Sequence, residues 1–167
     1  MSLILIGFMA SGKSSVGQLL AKILSKSFID TDEAISQKVG MSISDFIEKF
    51  SIADFRKIET SILKEAIGQY DVLATGGGIV ELEENRKLLA QEKKVVYLKT
   101  DFSIARKRIS ADKINKRPVF ENSNPDELLA CFKNREKYYQ ALSNYVVDTT
   151  DKNINEIVEI LKKIEFV

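Results

Sequence analysis

Histidine is absent from this 167-residue chain, and cysteine occurs once, at Cys131. Without imidazole, Ser-His-Asp catalysis and zinc sites of the histidine type are excluded, so any proton transfer falls to Asp, Glu, Lys or Tyr. A single thiol cannot close an internal disulfide, which fits a reducing cytoplasm, and nothing around Cys131 has metal-ligand spacing. An excess of one charge is also missing. Lys+Arg 25 against Asp+Glu 24 leaves +1, so no global field recruits nucleic acid or a membrane surface, and an anion must be captured locally. No apolar run approaches the ~20 residues of a membrane span, and the start Met1–Gly7 lacks the basic leader and longer apolar region of a signal peptide. No Gly/Ser/Pro-rich linker or internal repeat divides the chain, so residues 1–167 read as one domain.

Short apolar runs recur at Leu3–Ile6, Ser27–Ile29, Val72–Ala74, Val95–Leu98 and Tyr145–Val147, separated by segments of helical period. That alternation predicts an α/β fold: a parallel sheet with helices on both faces. Val16, Leu19, Leu20 and Ile23 mark the packed stripe of the first helix, and Ile154, Ile157, Val158 and Leu161 that of the last. Asn124 as cap, Pro125 at the first helical position and acidic Asp126 and Glu127 predict a helix from there to about Gln140.

Gly7-Phe8-Met9-Ala10-Ser11-Gly12-Lys13-Ser14 matches G-x-x-x-x-G-K-[ST] between a strand and an amphipathic helix. Gly7 and Gly12 let the backbone curl so that amide N–H groups and the helix N-terminus surround a polyphosphate. Lys13 would reach the β- and γ-phosphates, and Ser14 would supply a hydroxyl to Mg²⁺. The motif alone does not separate kinases from GTPases or translocating ATPases. The one Asn-Lys pair, Asn115-Lys116, lacks the Asp of a guanine-reading run.

Ligands of open parallel sheets bind beyond the carboxyl ends of the strands, so unusual residues there carry weight. The second strand ends in Asp30-Thr31-Asp32: one carboxylate would orient Mg²⁺ and the other would take a proton from an acceptor hydroxyl, or either simply caps the next helix. The third strand runs into Gly76-Gly77-Gly78, where something approaches the backbone closely, backbone N–H groups face a ligand, or the chain merely turns. Arg135 falls on one stripe with Leu128, Phe132 and Tyr139, and a guanidinium on a buried face needs an anion that local spacing does not supply. Arg56 lies three residues before Glu59, which would hold it in one rotamer while its other edge binds a carboxylate. For both arginines the alternative is an ion pair with no ligand. Finally, Arg106, Lys107, Arg108, Lys113, Lys116 and Arg117 against Asp112 give a local 6 − 1 = +5, read as a mobile flap over a triphosphate, a solvated helix end or a nucleic-acid patch.

Taken in order, Gly7–Ser15, Phe28–Asp32, Phe55-Arg56 with Glu59, Gly76–Gly78, Arg117-Pro118, and Arg135 followed by Tyr138-Tyr139 resemble the shikimate kinases over nearly the whole chain. The resemblance implies a three-layer α/β/α P-loop kinase fold, similar to nucleoside-monophosphate kinases, with a central five-stranded parallel sheet, a substrate-binding region at about 31–60 and a lid at about 110–122. It implies transfer of the γ-phosphate of ATP to the 3-hydroxyl of shikimate. Carried over, Arg56 and Arg135 clamp the carboxylate, Asp32 binds hydroxyls and serves as base, and Gly76, Gly77 and Gly78 line the floor. Ala10, Ser11, Gly12, Lys13, Ser14, Ser15, Arg108 and Arg117 would contact ATP, with Lys13 and Arg117 acting on the phosphates, and Ser14 and Asp30 would serve Mg²⁺. Arg108 is placed against adenine, and the loop Thr149–Asn153 around it. The partners implied are the two substrates, with no nucleic acid or membrane, and a cytoplasmic monomer.

Two positions depart from the family pattern. Ala10 stands where many members have glycine, which requires a backbone region open to a Cβ, and Val119 follows Arg117-Pro118 where leucine is frequent. A kinase for another hydroxylated acid, a regulatory nucleotide-binding module and a nucleic-acid-associated ATPase remain the competing expectations.

Overall fold

The computed structural model describes residues 1–111 and 124–165. Five strands form one sheet: β1 (Leu3–Ile6), β2 (Phe28–Asp30), β3 (Val72–Ala74), β4 (Val95–Lys99) and β5 (Tyr145–Asp148). Their order is β2-β3-β1-β4-β5 and every pairing is parallel. The central strands β1 and β3 are buried on both faces, which is why they read as unbroken apolar runs.

Eight helices are described. They are α1 (Lys13–Leu24), α2 (Thr31–Val39), α3 (Ile43–Lys49), α4 (Ile52–Ala66), α5 (Glu83–Leu89), α6 (Phe102–Ala111), α7 (Pro125–Leu142) and α8 (Ile154–Glu165). Strand alternation divides the core. Leu3 and Leu5 point to a layer with Val16 and Leu20 of α1 and Ile157, Val158 and Leu161 of α8. Ile4 and Ile6 point to the opposite layer with Leu63 of α4, Leu89 of α5 and Leu128, Phe132 and Tyr139 of α7. A smaller cluster of Ile35, Phe46, Phe55 and Ile62 holds α2, α3 and α4 together beside the sheet.

Helix α7 begins as expected. Asn124 accepts from Glu127 N at 2.9 Å while Glu127 reaches back to Asn124 N, a capping box with Pro125 at the first turn. The helix runs two residues beyond Gln140.

Three expectations are corrected here. Ile23 and Ile154 lie off the packed stripes, at 48% and 43% exposure. In α1 the buried face instead includes Gly17 and Ala21, because the Phe28 ring and Leu5 press against Gly17, where a Cβ would lie 2.7 Å from the ring. Strand β2 is shifted by one residue, since Ser27 is engaged by the Asp71 carboxylate through its N–H at 2.9 Å and hydroxyl at 2.8 Å. Arg106, Lys107 and Arg108 lie exposed on the regular helix α6, so for these three the helix-end alternative holds in place of the flap. Asp101 starts that helix by accepting from Ser103 N at 2.8 Å, and Ala105 anchors it in the core. Lys113, Lys116, Arg117, Pro118 and Val119 lie outside the described residues.

Candidate active site

The loop from β1 to α1 is shaped by two glycines with positive φ, Gly7 at 150° and Gly12 at 87°. At Gly7 space is also decisive: a Cβ would stand 2.7 Å from the Leu98 carbonyl oxygen and 3.1 Å from Ser11 Oγ. Gly12 caps α1 with no side-chain hydrogen bond, so the helix's first N–H groups face the loop. Lys13 is buried and folds across the loop, its Nζ donating to the carbonyls of Gly7 and Phe8 at 2.8 Å each and to Ser11 Oγ at 3.2 Å. Ala10 has φ 61°, so the expectation that its backbone lies in a region open to a Cβ fails: this is the left-handed region, where a side chain costs about 1–2 kcal/mol. Its carbonyl accepts from Arg108 Nη1 at 3.0 Å, which ties α6 to the phosphate loop.

Beside this loop the end of β2 does two things at once. The Asp30 carboxylate caps α2 by accepting from Asp32 N at 2.9 Å and Glu33 N at 3.2 Å, and its other oxygen accepts from the Ser14 hydroxyl. Capping and a place beside Ser14 were alternatives in the sequence, and the structure has both. A serine hydroxyl against a carboxylate is an all-oxygen donor pair, which fits a small hard cation that draws its other ligands from phosphates and water. Thr31 Oγ1 accepts from Gly76 N at 3.2 Å and fixes the end of β3 to the end of β2.

Gly76, Gly77 and Gly78 all have φ values open to any residue; the triplet is there for space. A Cβ on Gly76 would stand 2.5 Å from Asp32 Oδ1. One on Gly77 would stand 3.1 Å from Met9 N and 3.7 Å from Arg135 Nη1, and one on Gly78 would overlap the Arg56 guanidinium. The carbonyl of Gly77 also accepts from the Tyr139 hydroxyl, whose burial raises its pKa and keeps it a donor. Thus Asp32, Arg56 and Arg135, from three different elements, rest on one glycine ledge.

Each arginine is held from behind. Arg56 Nη1 donates to both oxygens of buried Glu59, at 2.8 and 2.9 Å, and its guanidinium lies 5.2 Å from the Phe55 ring centroid. Burial pushes the Glu59 carboxyl up to about 7, with the Asp32 charge adding to the rise and Arg56 opposing it. Arg135 is 7% exposed along its side chain and donates from Nε to Glu81 Oε1 at 2.5 Å. These groups border one cleft of about 900 Å³, lined by Met9, Ala10 and Gly12 to Ser15 of the phosphate loop together with Asp30, Asp32, Arg56, Gly76 to Gly78 and Arg135.

A family model described as shikimate kinase matches residues 9–165. The chain belongs to the shikimate kinase family. A curated shikimate kinase of Enterococcus faecalis is 40% identical over 165 residues, covering 98% of each chain. Among solved structures, a shikimate kinase from Acinetobacter baumannii in complex with shikimate superposes with TM-score 0.90 at 33% identity, covering 98% of this chain and 91% of that one. The Aquifex aeolicus shikimate kinase gives TM-score 0.83 at 34% identity, covering 99% and 96%. The family's fold agrees with the five-stranded parallel sheet, and its activity is that of an ATP-dependent kinase and transferase.

Of the residues singled out in the sequence, Ala10, Gly12, Lys13, Ser14 and Ser15 of the phosphate loop, Asp30, Asp32, Arg56, the three glycines and Arg135 share the cleft, while Ser11 is buried behind it and accepts from Lys13 Nζ. Arg108 reaches the phosphate loop from outside that lining, and Arg117 with the region 112–122 lies outside the described residues. No helix among the described residues is long and apolar enough to cross a membrane. The sequence reading missed Glu81, the anion that Arg135 called for. It lies 54 positions away on the loop after the triple glycine, and its one visible signal is an acidic residue directly behind the apolar pair Ile79-Val80. Cys131 is half-buried, and burial raises its thiol pKa, in keeping with a packing role.

Proposed function

We propose that this chain performs its family's reaction in the cleft described above, transferring the γ-phosphate of ATP to the 3-hydroxyl of shikimate. The observation that carries the reading is that one cleft joins a phosphate-binding loop to a carboxylate and two arginines on the same glycine ledge. Arg56 and Arg135 grip the shikimate carboxylate. Guanidinium–carboxylate contacts of this kind fix orientation as well as affinity, and thereby aim one ring hydroxyl at the phosphate. Asp32 accepts the proton of that hydroxyl on its carboxylate as the oxygen bonds to the γ-phosphorus and the bond to the β–γ bridging oxygen breaks, releasing ADP.

Lys13 leaves the loop carbonyls for the β- and γ-phosphates, while the amides of Ala10 to Ser15 surround them. Arg117 reaches the same phosphates from the segment at about 110–122, which acts as the lid, and Arg108 lies toward adenine. Ser14 and Asp30 hold Mg²⁺, directly or through its water shell, and the ion neutralises phosphate charge when bound. Residues 31–60 form the substrate-binding region, with α2 to α4 packed as a separate small cluster. A single cysteine and a near-neutral net charge support a cytoplasmic monomer.

The test is ADP release with ATP and Mg²⁺, run with shikimate, gluconate or AMP as acceptor, beside the Lys13→Ala protein. Turnover confined to shikimate and lost in the variant is the expected result. Release independent of acceptor, or silence despite ATP binding, would overturn the assignment.

A further inference from the structure

Arg135 uses its Nε edge for Glu81, while Nη1 lies on the Gly77 side of the ledge. These are different edges of one planar fork, so a carboxylate that meets the terminal nitrogens does not contend with Glu81 for the same donors. Glu81 is itself fixed from two sides. Its N–H donates to the Gly78 carbonyl at 2.9 Å. Arg86 of α5 donates from Nη1 to the carbonyls of Val80 at 2.6 Å and Glu81 at 2.8 Å, and stacks over the Tyr138 ring at 4.4 Å. Tyr138 and Arg135 belong to the same helix, so Glu81 and Arg86 close a loop of contacts that returns to α7.

From this closed circuit we infer that Glu81 is a positioning residue for the substrate carboxylate, holding the plane of Arg135 as Glu59 holds Arg56. The inference rests on the proposed function, in which Arg135 takes the carboxylate. An arginine side chain has many rotamers, and a backing acceptor on one edge removes that freedom before the ligand arrives. Glu81 is one-third exposed, so solvent screens its charge, and its effect runs through the hydrogen bond that orients the fork.

The experiment compares Glu81→Ala and Glu81→Gln in steady-state turnover of shikimate, with calorimetric titration of shikimate. E81Q keeps an acceptor at the same place, so its shikimate KM should stay within about threefold of wild type. E81A should raise that KM by about tenfold or more, with ATP KM and kcat within about twofold. If E81A does not fold, Glu81→Leu, which restores bulk without an acceptor, gives the same readout. An E81A or E81L protein with wild-type or lower shikimate KM would overturn the proposal, and so would E81Q losing as much as E81A, which would make charge the operative property. Failure of the wild-type protein to turn over shikimate would instead sink the functional reading itself, and the two failures are separable in one data set.

Discussion

Replacing Gly78 by alanine should damage shikimate recognition while leaving the fold intact. A Cβ there would stand 2.2 Å from one terminal nitrogen of Arg56 and 2.4 Å from the other, against the 3.4 Å at which ordinary contacts begin, so the guanidinium must retreat by roughly 1.2 Å. A misplacement of about 1 Å in a positioning group can cost ~100-fold, and a hydrogen bond to a charged group is worth about 1.5–3 kcal/mol, or ~10- to ~150-fold. The shikimate KM should therefore rise by about 10- to 100-fold. The φ at Gly78 is open to alanine, which would favour folding by about 0.4–1 kcal/mol through the unfolded chain, and this offsets the cost of moving one flexible side chain. The melting temperature should stay within about 2–4 °C. ATP KM should not change, because the phosphate loop lies away from Gly78's contacts. Steady-state kinetics in both substrates, with a thermal melt, decides the matter. A folded variant with wild-type shikimate KM, or an equal loss of ATP affinity, would refute the claim that the ledge exists to seat Arg56.

Gly76→Ala acts on Asp32 instead, whose Oδ1 lies 2.5 Å from the added Cβ; it should lower kcat by about 10- to 100-fold with a smaller change in shikimate KM, and an unchanged kcat would remove Asp32 as base. Ala10→Gly should relieve left-handed strain of about 1–2 kcal/mol against about 0.4–1 kcal/mol of added unfolded-state entropy, raising the melting temperature by about 2 °C, whereas a lower one would show that Ala10 is unstrained. Burial pushes the Glu59 carboxyl up to about 7, so a shikimate anion on Arg56 should draw in a fraction of a proton near neutral pH, measurable by calorimetry in buffers of different ionisation heat, and affinity should fall as pH rises; Glu59→Gln should abolish both effects. The same group, raised from its ordinary 4.5, contributes stability that is complete below that value and lost as pH rises through about 7, which thermal melts across pH 4–8 would register. Ser14→Ala should raise the Mg²⁺ concentration needed for half-maximal turnover by about tenfold, and an unchanged requirement would remove Ser14 as a metal-holding group.

The parts of the fold legible in the sequence were those fixed by local pattern. Strands β1, β3 and β4 are buried on both faces and so appear as apolar runs, and Asn124-Pro125 with Glu127 writes out a helix start. Arg56 and Glu59 were legible as a pair because three residues along a helix bring side chains together. What local pattern misses is any contact made through the sheet. Ile23 has the period of a core residue, yet the roll of α1 is set by the Phe28 ring against Gly17, a contact between an element and its successor that periodicity does not encode. Glu81 escaped for the same reason: it lies on a loop, its partner Arg135 is on α7 54 positions away, and only the fold makes them neighbours.

The order of strands explains why the groups meet where they do. β3 lies between β2 and β1, so the chain leaving its carboxyl end emerges between the Asp30–Asp32 turn and the phosphate loop. A side chain on Gly76 would meet Asp32, one on Gly77 the backbone at Met9, and one on Gly78 the Arg56 guanidinium of α4, while Arg135 of α7 lies in van der Waals range of Gly77. The ledge converts a property of the sheet into the spacing of a carboxylate and two guanidiniums, which no single helix could supply. It also explains how a chain with net charge +1 can hold an acid. Arg56 is held by Glu59 and Arg135 by Glu81, and the clamp's attraction for a carboxylate comes from oriented donors at short range, not from a field of the whole chain.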